Sequence, residues 1–184
     1  MRLSDATALH VGDTPAVAAY VGDQQVWSSV SSGLIYDRGT EFSTFSVVHL
    51  NDTDNQAEFD KQATRLRFFT RSFGSELSII RAGTPVEHDL TGISQVRFRR
   101  ETATSSTDGG VTPGTARWGV ATGTNYDSTD HRLQTSSSLA EGDSLLDVSN
   151  FSGMHRILLE SNTTNVEGVT RTAELFVYEV ELIP

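Results

Sequence analysis

The chain has 184 residues, 36% of them hydrophobic, with 15 Gly and 43 Ser or Thr, which suits one domain built of strands and loops. Its formal charge of −10 runs against generic binding to nucleic acid or to an anionic membrane. No Cys is present, which excludes disulfides, thiolate metal sites and a Cys nucleophile, and no apolar run approaches the length of a membrane-spanning helix. The opening Met1-Arg2-Leu3-Ser4-Asp5 lacks the apolar stretch of a signal peptide.

Two similar segments begin the chain. Ala8-Leu9-His10-Val11-Gly12-Asp13 is echoed ten residues later by Ala18-Ala19-Tyr20-Val21-Gly22-Asp23. Apolar residues return after each Gly-Asp, at Ala16-Val17 and at Val26-Trp27. Gly as the first central residue of a two-residue turn suits the type II′ geometry that matches strand twist, so the pattern predicts tandem hairpins or a small meander. Ser28 to Gly33 is then a flexible joint, which divides an N-terminal module (1–30) from a body (34–184).

Beyond the joint, apolar residues alternate in short runs. Phe45, Val47 and His49 oppose Ser46, Val48 and Leu50; Leu66, Phe68 and Thr70 oppose Arg65, Arg67, Phe69 and Arg71; Leu77 and Ile79 follow. Val96 and Phe98 oppose Gln95, Arg97 and Arg99, and Ala116, Trp118 and Val120 oppose Arg117 and Gly119. Ile157 and Leu159 precede a last strand, on which Phe176, Tyr178, Val180 and Leu182 are expected on one face and Val177, Glu179 and Glu181 on the other. Period-two alternation with one polar face marks antiparallel strands packed on a core. Turn-rich segments, such as Ala82-Gly83-Thr84-Pro85 and Asn162-Thr163-Thr164-Asn165, separate the runs. The expected fold is all-β, an antiparallel jelly-roll-like β-sandwich behind an N-terminal hairpin anchor. The helix candidates are Asp54 to Ala63, without a sustained apolar stripe, and Ser138 to Glu141, interrupted at once by Gly142.

Chemistry is sparsely marked. Asn51 to Asn55 and Asp127 to His131 concentrate oxygen ligands, but they read as solvated turns because the calcium-loop pattern fails at Ala57 and Ala63. The five His residues are scattered without ligand spacing, and no G-x-S-x-G occurs, so neither an enzyme nor a metal or other cofactor is expected. The Arg-rich faces (Arg65, Arg67, Arg71; Arg97, Arg99, Arg100) are expected to pair with carboxylates across strands or to meet another subunit, with an anionic glycan as the other reading. Trp118 is assigned to the core, and Tyr126, in a polar loop, is the candidate sugar-stacking residue.

The segment Ala19-Tyr20-Val21-Gly22-Asp23-Gln24-Gln25-Val26-Trp27 resembles a short module of tailed-bacteriophage virion proteins, with His10 replacing Tyr in the first copy. The match covers about the first 27 residues. The resemblance implies a virion structural protein, on the tail or a fiber, assembled in the host cytoplasm, with a decoration or fiber protein of the head as the alternative. An isolated hairpin is marginal in water, so Val11, Val17, Tyr20, Val21, Val26 and Trp27 are expected to dock on a partner, namely other virion proteins. Repetition around a particle implies a homo-oligomer, a trimer or a ring. A second functional class is a carbohydrate-binding module for host glycan, which calls for exposed aromatic rings on one face. Binding to nucleic acid and insertion into a membrane are not expected.

Overall fold

The computed structural model describes residues 33–51, 56–74, 77–107, 114–124, 131–136, 139–163 and 166–184, with short strands between 10 and 28. Four of these open the chain: β1 (His10–Val11), β2 (Thr14–Pro15), β3 (Ala18–Val21) and β4 (Gln24–Ser28). They pair as the two expected antiparallel hairpins, β1 with β2 and β3 with β4, and each pair is a two-stranded sheet of its own. The body contributes β5 (Leu34–Asp37), β6 (Thr40–Glu41), β7 (Ser46–Asn51), β8 (Ala57–Gln62), β9 (Arg65–Gly74) and β10 (Ser78–Gly83). These are followed by β11 (His88–Asp89), β12 (Gln95–Ser106), β13 (Thr115–Ala121), β14 (His131–Ser136), β15 (Leu139–Asp147), β16 (Met154–Thr163) and β17 (Val166–Ile183).

The body is a jelly-roll-like antiparallel sandwich of two sheets. Sheet 1 runs β8-β9-β17-β12-β15, with β5 and β6 beside the C-terminal part of β17. Sheet 2 runs β7-β10-β16-β13-β14, and β11 pairs with the start of β16. The sheets stack strand over strand: β8 on β7, β9 on β10 and β16, β17 on β16 and β13, β12 on β13, and β15 on β14.

Alternation dictates this stacking. Leu66 and Phe68 of β9, Val96 and Phe98 of β12, and Leu175 and Val177 of β17 project from sheet 1. They meet Ile80 of β10, Trp118 and Val120 of β13, and Ile157 and Leu159 of β16 in one core. Each such side chain, fully removed from water, is worth about 1.5–3 kcal/mol. Two polar features cross the core. The hydroxyls of Thr70 and Ser161 bond at 2.9 Å, and Trp118 Nε1 donates to Gln134 Oε1 at 2.8 Å while Gln134 Nε2 donates to the Leu145 carbonyl at 3.0 Å. Gln134 therefore ties the edge strands of the two sheets together. At the β5–β6 turn, Arg38 (φ +42°) and Gly39 (φ +93°) are both left-handed, as a two-residue type I′ turn requires.

Several expectations need correction. Along β17, Val177 faces the core, and Phe176 and Tyr178 face outward. The register pairs Arg99 with Glu179 but Arg100 with Val177, so Tyr178 is the extra residue of a β-bulge that returns Val180 and Leu182 to the core. A second bulge interrupts the alternation expected for β7. There Arg81 pairs with His49 and Ala82 with Val47, which leaves Val48 unpaired between them, and Val47 and Leu50 are exposed. Arg100 is not on the outer Arg face. It is buried, its guanidinium carbon 5.0 Å from the Trp118 ring centre, its Nε donating to Ser144 Oγ at 2.9 Å and its Nη1 to the Ala140 carbonyl at 3.2 Å. Burial pulls its pKa down from the ordinary arginine value.

The helix candidates give strands, Ala57–Gln62 and Leu139–Asp147, and Ala82-Gly83 ends β10 rather than opening a turn. Asn162 and Thr163 likewise belong to β16. The histidines are less scattered than their spacing implied, since His88 and His155 are direct cross-strand partners. Most of both oxygen-rich segments, residues 52–55 and 127–130, lies outside the described residues.

Candidate functional site

The sandwich has two outer faces, and they differ in how their charges are satisfied. On sheet 1, guanidiniums and carboxylates alternate between neighbouring strands. Arg67 reaches Glu58 and Asp60, each at 3.1 Å, and Glu174 at 2.8 Å. Arg97 contacts Glu179 and lies 2.7 Å from Glu181, and Arg99 lies 2.9 Å from Glu141. Two aromatic rings of this face lie under cations: Arg65 is stacked 4.0 Å from the Phe176 ring centre and Arg67 lies 5.0 Å from that of Phe69. Tyr178, presented by the bulge, receives a hydrogen bond from Arg65 at 3.2 Å and donates to Glu101 at 2.9 Å. Burial is the main cause that raises its pKa, and the Glu101 charge adds to it. Exposed sheet pairs of this kind give cross-strand order and little net stability. Its central rings are capped and most of its charges are paired, and Phe73, at the end of β9, is left as an exposed ring.

Sheet 2 presents a different outer face, centred on β16. Ile157, Leu158 and Leu159 are all buried, so this strand is covered on both sides. Leu158 lies over Gly83 of β10, where a Cβ would stand 2.6 Å from Leu158 Cδ2, and Val48 packs against it from the β7 bulge. One turn of the alternation further on is Glu160, a carboxylate with 0% exposure on the outside of a sheet. Arg81 of β10 holds it through Nε at 2.7 Å and Nη2 at 2.5 Å. Arg117 of β13 approaches its other oxygen at 3.4 Å. The register lines these up across all five strands, as His49, Arg81, Glu160, Arg117 and Thr135.

Residues 122–124, which follow β13, fold back over this row. The Thr124 carbonyl accepts a hydrogen bond from Arg81 Nη1 at 3.1 Å, so the connection reaches from the β13 side to the β10 side, across β16. In the next row Asn162 is 7% exposed, and its Oδ1 has no hydrogen-bond partner, between Ile79 and Thr115. A buried amide oxygen without a partner costs about 1–3 kcal/mol. Chemically the face combines guanidinium donors with a buried carboxylate and a buried, unpaired amide oxygen.

A concave feature between the β5–β6 and β8–β9 turns is lined by Tyr36, Glu41, Lys61 and Leu66 and measures about 150 Å³. That is below the ~300–1,000 Å³ of ordinary ligand pockets. Among the described residues, no group of three or more His, Asp or Glu side chains gathers in a way that would hold a metal ion.

Of the residues singled out from the sequence, Val11 lies on β1, Tyr20 and Val21 on β3, and Val26 and Trp27 on β4, with Trp27 opposite Ala19. Val17 and Tyr126 lie outside the described residues. Trp118 is in the core, as expected. The sheet 2 row went unread, and its available signal was Ile157-Leu158-Leu159, since three consecutive apolar residues in a strand mark one covered on both faces.

No protein-family model matches the chain, and no curated protein matches it. Its fold has counterparts among solved structures. A family 11 carbohydrate-binding module from Clostridium thermocellum, in complex with a beta-1,3-1,4-mixed-linked tetrasaccharide, superposes with a TM-score of 0.50 and 9% identity, over 83% of this chain and 95% of that one. A family 29 carbohydrate-binding module from Piromyces equi gives a TM-score of 0.47 and 11% identity over 84% and 91% of the two chains. The first likeness shows a shared sandwich fold.

The buried row makes a stability prediction. Glu160→Gln keeps the shape and leaves Arg81 without its carboxylate, so it should cost about 3–5 kcal/mol in urea unfolding. A loss below about 1 kcal/mol would mean that the row is not held as described.

Proposed function

We propose that the chain is a non-catalytic carbohydrate-binding sandwich whose ligand lies across the outer face of sheet 2. The observation that carries this reading is the Asn162 amide oxygen, buried and unpaired beside the Arg81–Glu160–Arg117 row. Sugar hydroxyls both donate and accept, so a saccharide laid along the face supplies acceptors to Arg117, and once its approach uncovers the Asn162 oxygen it supplies the missing donor there. The shared fold with a module solved on an oligosaccharide supports the same reading. Sheet 1 is the poorer platform, because Arg65 and Arg67 occupy the faces of Phe176 and Phe69, which leaves Phe73 at the end of β9 as its exposed ring. The test is affinity electrophoresis of the full chain through gels containing soluble polysaccharides, mixed-linked β-glucan among them. At least one should retard the protein, and Asn162→Ala should weaken that retardation about fivefold, the loss of one hydrogen bond of ~1 kcal/mol. Free migration through every gel would remove the reading.

We further propose that residues 1–30 attach this sandwich to a virion of a tailed bacteriophage, on the tail in preference to the head, as a trimer or ring. This reading is favoured by the pairing of β1 with β2 and β3 with β4 in small sheets separate from sheets 1 and 2, together with the motif ending at Val26-Trp27. A two-stranded sheet needs a further surface to be stable. Deleting residues 1–30 should leave a sandwich with an unchanged unfolding midpoint that no longer joins particles in a complementation assay. Unfolding of the truncated chain, or its normal incorporation, would contradict the proposal.

A further inference from the structure

The two outer faces carry opposite balances of charge. Sheet 1 sets Glu58, Asp60, Glu101, Glu141, Glu174, Glu179 and Glu181 around Arg65, Arg67, Arg97 and Arg99. On sheet 2, Arg81, Arg117 and Arg156 share the face with Glu160, and Glu87 stands 3.6 Å from Arg156. The cations of this second set are not equally engaged. Arg81 is turned into the sheet by Glu160 and by the Thr124 carbonyl, and Arg156 donates to the carbonyls of Thr84 and Pro85 at 3.1 and 2.8 Å. Arg117 has only the 3.4 Å approach to Glu160, with its side chain 37% exposed.

Among the described residues this face sets three guanidiniums against the carboxylates of Glu160 and Glu87, in a chain whose overall charge of −10 repels anions. Arg117 is the guanidinium of this face with the loosest contact, and its planar fork matches a carboxylate or sulfate in two parallel hydrogen bonds. We infer that the ligand of the sheet 2 face is an acidic polysaccharide, whose anionic group pairs with Arg117 while a neighbouring hydroxyl bonds Asn162. This inference rests on the carbohydrate-binding reading above and narrows it. Arg81 is a positioning residue: it holds the Glu160 carboxylate in the sheet, and Glu160 in turn keeps the Arg117 guanidinium over the row.

The experiment compares full-length protein on polygalacturonate (carboxylate), dextran sulfate (sulfate), neutral dextran and neutral mixed-linked β-glucan, by calorimetry at low and physiological salt. One acidic polymer should bind at least tenfold more tightly than either neutral one, and whichever does identifies the anion. Arg117→Ala should abolish that preference. Arg117→Lys, which keeps the charge and loses the fork, should restore part of it, and Arg99→Ala on sheet 1 should bind as the parent does. If a neutral polymer binds as tightly as the acidic ones, the acidic preference is wrong and the carbohydrate reading stands. If acidic polymers bind the parent and Arg117→Ala alike, attraction is diffuse and the assignment of Arg117 fails. Absence of binding to all four removes both the inference and, for these polymers, the reading beneath it.

Discussion

A carboxylate with no exposure on the outside of a β-sheet is tolerated only where cations replace its water. Glu160 is placed in that situation by Arg81 on one neighbouring strand and Arg117 on the other. The arrangement requires β10, β16 and β13 to be adjacent and in one register, so the topology of sheet 2 and the ion row imply one another. It also requires cover, which Val48 gives at the Leu158 end and the connection through Thr124 gives over Arg81. A buried ion pair is an expensive way to stabilise a sheet, and well-packed apolar side chains commonly do as well or better. Its presence on an outer face, next to an unpaired Asn162, is the feature on which the proposed ligand face rests.

The core was readable because it follows alternation and nothing else. In β12, Val96 and Phe98 turn inward and Arg97 and Arg99 outward over an uninterrupted run, and β9 and β13 behave alike. Bulges were not readable. The facing of Phe176, Val177 and Tyr178 depends on an extra residue in β17 opposite β12, and that is a property of the pair of strands rather than of either one. Val48 is the same case in β7. Arg100 misled for a different reason: a cation is expected outside, and only the Trp118 ring, Ser144 and the Ala140 carbonyl, all distant in sequence, make its burial tolerable.

The candidate site was less legible than the fold, since its members come from three strands whose adjacency is set by chain crossings between the sheets. Arg81, Arg117 and Glu160 are each unremarkable as residues of polar faces. Pairing of the outer arginines with carboxylates was foreseeable, and it holds on sheet 1 for Arg67, Arg97 and Arg99. What local sequence does not carry is the contrast between faces: a lattice of satisfied pairs on one, and a cationic surplus around a single buried acid on the other.

The most direct measurement is an NMR titration of the full chain with an oligosaccharide cut from whichever polysaccharide it retains, following backbone amides together with the side-chain signals of Arg117 Nε and Asn162 Nδ2. The account predicts shifts centred on β10, β13 and β16, with Arg117 and Asn162 among the largest and the amides of β12 and β15 little moved. Shifts concentrated on the outer face of sheet 1, around Phe69, Phe176 and Tyr178, would contradict it.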